Sequence, residues 1–107
     1  LDIVDGHVLD KLNLIESAIS ELAELHGHSA LNPVSPSLFC LENGITFDER
    51  GKIIILLNRL FSENENVSYL ELKRNIIREV PKLALLSEEV FEGMVNIFKK
   101  NYVIEEE

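Results

Sequence analysis

Val8, Leu12, Ile15, Ile19 and Leu22, continued by His26, step along the chain by 4, 3, 4, 3 and 4 residues. Residues three and four apart share one face of an α-helix, so this spacing predicts a helix over 4–26. In heptad terms it is an a/d seam. Leu9, Leu14, Ala18 and Leu25 flank it and widen the stripe beyond what a two-stranded seam requires. Two outcomes stay open. The helix packs on its own domain, or Val8, Leu12, Ile15, Ile19 and Leu22 form a self-association surface.

The helical pattern breaks in "HGHSALNPVSPS", where Gly27 is placed as a helix stop and Pro33 and Pro36 follow. "LFCLENGITF" then sets Asn43-Gly44 between two short apolar pieces, which predicts a small hairpin. The next helix opens either with a capping box, Thr46 to Glu49, or with Asp48 as its N-cap. Ile53, Ile54, Ile55, Leu56, Leu57, Leu60 and Phe61 cover nearly its whole circumference, as expected of a central helix packed on several sides. Ser68 and Glu71 form a second capping-box pattern, for a helix reaching about Val80 and stopped by Pro81. Ser87 caps the last helix, whose first turn holds Glu88 and Glu89 and whose last turn holds Lys99 and Lys100, charges that suit the helix dipole. Tyr102-Val103-Ile104 has strand character. The expectation is a mainly α domain with little β structure: an amphipathic helix over 1–28, a connector over 29–47, and a helical core over 48–107, together one compact unit.

The order of the second half resembles the winged-helix family over about residues 48–107. A buried helix leads into a short extended "NVS", a helix, a turn through "PKLALL", another helix and "NYVIEEE". The resemblance implies a recognition helix starting after Ser87 and a first wing strand at "YVI", with "LFCL" available as the second. In DNA-binding members the first turns of that helix meet base edges between rows of phosphates. Here those turns carry Glu88, Glu89 and Glu92, which phosphates repel, so this face suits a protein better than a major groove. Arg74 and Arg78, one turn apart, and Lys82 would supply phosphate contacts in the alternative reading. Lys73 falls within the apolar arc of its helix, where a lysine stem lies along apolar surface with its ammonium in water. "LFSENENVSYLELKRNIIREV…LSEEVFEGMVNIF" is also similar to the helical repeat of tellurite-resistance TerB-like domains. The Asp-Gly pair usual in that family's turn is replaced here by Asn64-Glu65-Asn66.

Charge narrows the partners. Nineteen acids against ten bases give a net charge of −9, which disfavours phosphate backbones and anionic membranes and favours basic protein surfaces. Residues 1–53 hold nine acids and three bases; residues 54–107 hold ten and seven. The longest apolar run is five residues, 53–57, far short of a membrane span. No signal-peptide pattern opens the chain; a start at Leu1 without Met is expected of an excised fragment or of a trimmed chain, either of which would hide a targeting signal upstream. A single cysteine, Cys40, allows no internal disulfide and reads as a buried small hydrophobe in a reducing compartment.

Catalytic and metal-binding patterns are weak. His26-Gly27-His28 with Cys40 lacks zinc-ligand spacing, and His26 reads as a helix-end residue. The sequence has no glycine-rich phosphate loop, nucleophile elbow or His-Glu-x-x-His. The resulting expectation is a non-catalytic interaction or scaffold domain, without cofactor, inside the cell in cytoplasm or nucleus. An acidic face of Glu88, Glu89 and Glu92, with Glu16, Glu21 and Glu24 elsewhere, would meet a basic protein partner, and the first helix would be a self-association or partner surface, with a homodimer as the expected assembly. An immunity-type inhibitor or a scaffold subunit would both fit. The alternative is a dimeric winged-helix regulator holding DNA phosphates through Arg74, Arg78 and Lys82.

Overall fold

Four helices start where a hydroxyl side chain takes up an otherwise free amide. The computed structural model describes residues 3–103, with helices α1 (Ile3–Leu25), α2 (Pro36–Glu42), α3 (Phe47–Glu63), α4 (Tyr69–Glu79) and α5 (Glu88–Tyr102), and a 3-10 turn at Pro81–Leu85. Ser35, Thr46, Ser68 and Ser87 accept from the amides of Leu38, Glu49, Glu71 and Val90. Each such cap is worth about 1 kcal/mol. At α3 the box is complete, because the Thr46 amide donates back to the Glu49 carboxylate at 2.9 Å. Asp48 is therefore not the cap.

Gly27 (φ +90°) and Gly44 (φ +67°) close α1 and α2 in the same way. In each, the amide one residue past the glycine reaches back to a carbonyl of the last turn: His28 to Ala23 at 3.0 Å, Ile45 to Cys40 at 2.9 Å. This is the Schellman closure, which needs a left-handed residue and so favours glycine. Gly27 thus stops α1 as its position predicts.

Two sequence expectations are corrected and a third is narrowed. The hairpin at "LFCLENGITF" is instead α2 and its C-terminal turn, so Asn43-Gly44 ends a helix rather than joining strands. Ser35 caps that helix, Pro36 occupies its first turn, and Leu38, Phe39 and Cys40 drop into the core. No wing strand forms: α5 runs on through Tyr102, and no strand occurs among the described residues. The Tyr102 hydroxyl accepts from Arg50 Nη1 at 2.8 Å and its carbonyl accepts from Asn58 Nδ2 at 2.9 Å, so two α3 side chains hold the helix end. Val103 follows as the C-cap, and Ile104 lies outside the described residues. Finally, α3 packs on α2, α4 and α5 as the central helix expected, but not on every side. Ile53, Leu56, Leu57 and Leu60 form a single buried stripe at helical spacing, while Ile55 is 71 % exposed.

The core lies between α2, α3, α4 and α5. Ile53, Leu57, Ile76, Phe91 and Phe98 are fully enclosed, and Val80 and Leu83 extend this core into the 3-10 turn. Tyr69 and Phe91 meet edge to face at 6.1 Å between ring centroids, and so do Phe98 and Tyr102 at 5.5 Å. The stretch between α1 and α3 is more than a connector. Pro33 and Pro36 are buried, and α2 packs on both α3 and α5. Gly93 on α5 lets the backbone at Leu31 come close, since a Cβ there would sit 2.9 Å from the Leu31 carbonyl oxygen.

α1 stands apart from this body. The radius of gyration is 15.8 Å, against about 13 Å for a compact chain of this length, and the extents are 52 × 31 × 28 Å. No helix among the described residues is long and apolar enough to cross a membrane.

Candidate partner-binding surfaces

The first candidate surface is the stripe on α1. From Gly6 to Leu25, Ala23 alone is buried and Ser20 is half-buried. The five seam residues are all at the surface: Val8, Leu12, Ile15, Ile19 and Leu22 are between 43 and 61 % exposed. Leu9, Leu14 and Leu25 are exposed beside them. Of the two outcomes open in the sequence, packing on its own domain is therefore set aside. A water-facing apolar stripe on a protein that already has a separate core is a candidate contact surface. The opposite side of α1 is polar and acidic, with Asn13, Ser17, Glu21 and Glu24 around a shallow depression that reaches Ser20 and, beside the seam, Glu16.

The acidic face of α5 is only partly free. Glu88, Glu89 and Glu92 are all exposed, as their positions at the start of the helix require. Glu88, however, is paired with Lys73 of α4. That ammonium holds the Glu88 carboxyl below its ordinary range, and the Tyr69 hydroxyl beside it acts in the same direction. The same grouping pushes the Tyr69 hydroxyl up to about 12, first through burial and then through the neighbouring carboxylate. Lys73 also lies 5.4 Å from the centre of the Phe91 ring. Its stem is thus covered by protein and its charge is used locally, leaving Glu89 and Glu92 as the acids this face presents outward.

The three cations of the alternative phosphate site differ in setting. Arg74 and Arg78 are exposed on α4, and Arg78 makes only a long contact of 3.5 Å with Asn75. Lys82 is exposed as well but is engaged, its Nζ 2.9 Å from Glu49 Oε1 and 2.8 Å from the Gly44 carbonyl. It thereby ties the 3-10 turn to the N-terminus of α3 and the end of α2. Arg74, Arg78 and Glu88 border one groove on α4, which Lys82 does not line.

Sequence reasoning missed a groove of about 660 Å3 along α4. Tyr69, Leu70 and Ile77 form its apolar floor, and Lys73, Arg74 and Arg78 stand around it. The signal was present: Leu70 and Ile77 are seven residues apart, two helical turns, on a side of α4 that the core stripe of Leu72 and Ile76 does not use.

Two side chains with chemical potential are occupied by structure. His28 is buried; its Nδ1 accepts from the Val34 amide at 3.1 Å and its Nε2 faces Glu42 Oε1 at 2.8 Å. With Nδ1 accepting, the proton resides on Nε2, and both ring nitrogens are used to pin the connector to α2. His26, expected at the helix end, is there and is exposed. Cys40 is buried as expected, and burial pushes its thiol up to about 11, with Arg50 opposing. Such a thiol is a poor nucleophile and a poor metal ligand near neutral pH. No protein-family model, curated protein or solved structure matches this chain.

Proposed function

We propose that this chain is a non-catalytic protein–protein interaction or scaffold domain, with α1 as its contact helix and an acidic surface directed at a basic partner. The observation that carries this reading is the exposure of the α1 stripe while the other helices complete a core without it. Burying one Leu, Ile or Val side chain fully is worth about 1.5–3 kcal/mol. Eight such side chains on one helix are therefore a large driving force for association. The net charge of −9, together with Glu89 and Glu92 on α5 and Glu21 and Glu24 on α1, supports a basic partner for the polar faces. His28 and Cys40, both committed to the fold, leave little for catalysis to use.

The second reading, a dimeric winged-helix DNA regulator, draws support from exposed Arg74 and Arg78. It is weakened by the engagement of Lys82 with Glu49 and by a last helix that begins with glutamates. Titration of the full chain into duplex DNA at low and moderate salt separates the two. The interaction domain gives no complex even at low salt. A micromolar complex that weakens steeply with salt and is abolished by Arg74→Glu would replace it with the DNA-binding reading.

A further inference from the structure

We infer that the occupant of the α1 stripe is α1 of further copies of this chain, arranged in parallel in a bundle of three or four strands. This inference rests on the reading of α1 as a contact helix and names its partner.

Three features of α1 bear on it. The first is the width of the stripe. At 100° per residue, Leu9, Leu12, Ile19, Val8, Ile15 and Leu22 with their small neighbours Ala18 and Ala23 span an arc of about 180°, with Lys11 and Glu16 near its two edges and Ala23 already covered by its own chain. A two-stranded seam covers little more than the a and d positions, so an arc this wide needs a neighbour on each side. The second is the order of side chains within the seam, which is divided. Leu12 and Ile19 take the a positions, and Val8, Ile15 and Leu22 take the d positions. Leu12 at a with Ile15 at d suits more than two strands, whereas Ile19 at a with Leu22 at d suits two, so the width of the stripe decides the number.

The third feature sets the direction. Lys11 falls at a g position and Glu16 at an e position, five residues later. In a parallel arrangement, g of one helix faces the following e of its neighbour, so Lys11 meets Glu16 of the next copy at every interface. An antiparallel arrangement centred on the seam sets Glu16 against Glu16 and leaves Lys11 without an acid. Asp10, Asn13, Ser17, Glu21 and Glu24 stay on the outer side of the parallel bundle, in water.

Three heptads make a short seam, so the assembly forms at micromolar concentration and above rather than persisting on dilution.

Sedimentation equilibrium of the full chain over a range of concentrations tests both parts. The expected mass is three or four times 12.2 kDa, reverting to the single-chain mass in Ile15→Asp. Because that substitution also lowers the helicity of α1, charge reversal gives a second readout. Lys11→Glu and Glu16→Lys should each weaken association roughly tenfold, and the double reversal should restore it. A single-chain mass at all concentrations, or a dimer, overturns the bundle; a double reversal that fails to restore association overturns the parallel order. A monomer that binds no DNA would still leave α1 as the contact helix for a different protein, whereas the salt-dependent DNA complex described above would remove that reading itself.

Discussion

The Nζ of Lys82 lies 2.9 Å from Oε1 of Glu49, and the same carboxylate accepts the Thr46 amide that opens α3. One carboxylate therefore serves a helix cap and an ion pair from a segment 33 residues later in the chain. Lys82→Met keeps the stem and removes the charge. It should lower the melting temperature slightly and leave the helical circular dichroism unchanged. A change in DNA affinity on this substitution would mean that Lys82 turns outward to a phosphate.

Acid should destabilise the fold through the same group and its counterpart on α5. The Glu49 carboxyl is held below its ordinary value of 4.5, first by the Thr46 amide and then by Lys82; Glu88 is held below 4.5 chiefly by Lys73. A carboxyl depressed on folding contributes stability that is fully present above its unfolded value and is lost as pH falls through its folded value. Urea midpoints should thus be flat near neutrality and begin to drop as pH approaches 4.5. The double variant Glu49→Gln, Glu88→Gln should start lower at pH 7 and show a shallower acid slope. An unchanged slope would show that neither pair matters to folding.

Cys40 should be nearly silent toward thiol reagents in the folded protein. A thiol moved from 9.0 to about 11 has about a hundredfold less thiolate near neutral pH, and burial blocks access as well. Labelling by a chromogenic disulfide should follow global unfolding, with full reaction only in denaturant. Rapid labelling under native conditions would place Cys40 at the surface.

Gly93→Ala should cost about 1–3 kcal/mol, typical of overpacking. The added Cβ would meet the Leu31 carbonyl oxygen at 2.9 Å and Pro33 Cδ at 3.3 Å, and the first of these is backbone that cannot swing away. Elsewhere in a helix the same change usually stabilises, because alanine is the better helix former. A denaturation midpoint that rises instead would mean that the connector does not rest on α5.

Helix starts were legible in the sequence because capping is local chemistry. Thr46 with Glu49, Ser68 and Ser87 each lie within three residues of the amide they satisfy. Longer-range features were not. Asn43-Gly44 suits either a hairpin or a helix C-terminus, and the deciding signal was Ser35-Pro36 upstream, an N-cap followed by proline in the first turn. The strand character of Tyr102 and Val103 was outweighed by Arg50 and Asn58, which are 52 and 44 residues from Tyr102. The α1 stripe could be read residue by residue, but its exposure could not. Identical spacing serves a helix packed on its own body and one turned away from it, and only the completed core of α2 to α5 separates the two. The partners of Lys82 and Lys73 were not legible, because only the fold brings Glu49 and Glu88 to them.

Gly27 has a further role once α1 is seen as a stem. Its φ of +90° fixes the angle at which the chain leaves the helix, and the bond from the His28 amide to the Ala23 carbonyl locks that corner. The body beyond, pinned by His28, must leave the stem in the same direction in every copy. In the proposed bundle, this corner, together with the His28 contacts to Val34 and Glu42, would set how far apart the bodies stand. A side chain at position 27 would leave the stripe intact and re-aim everything attached to it.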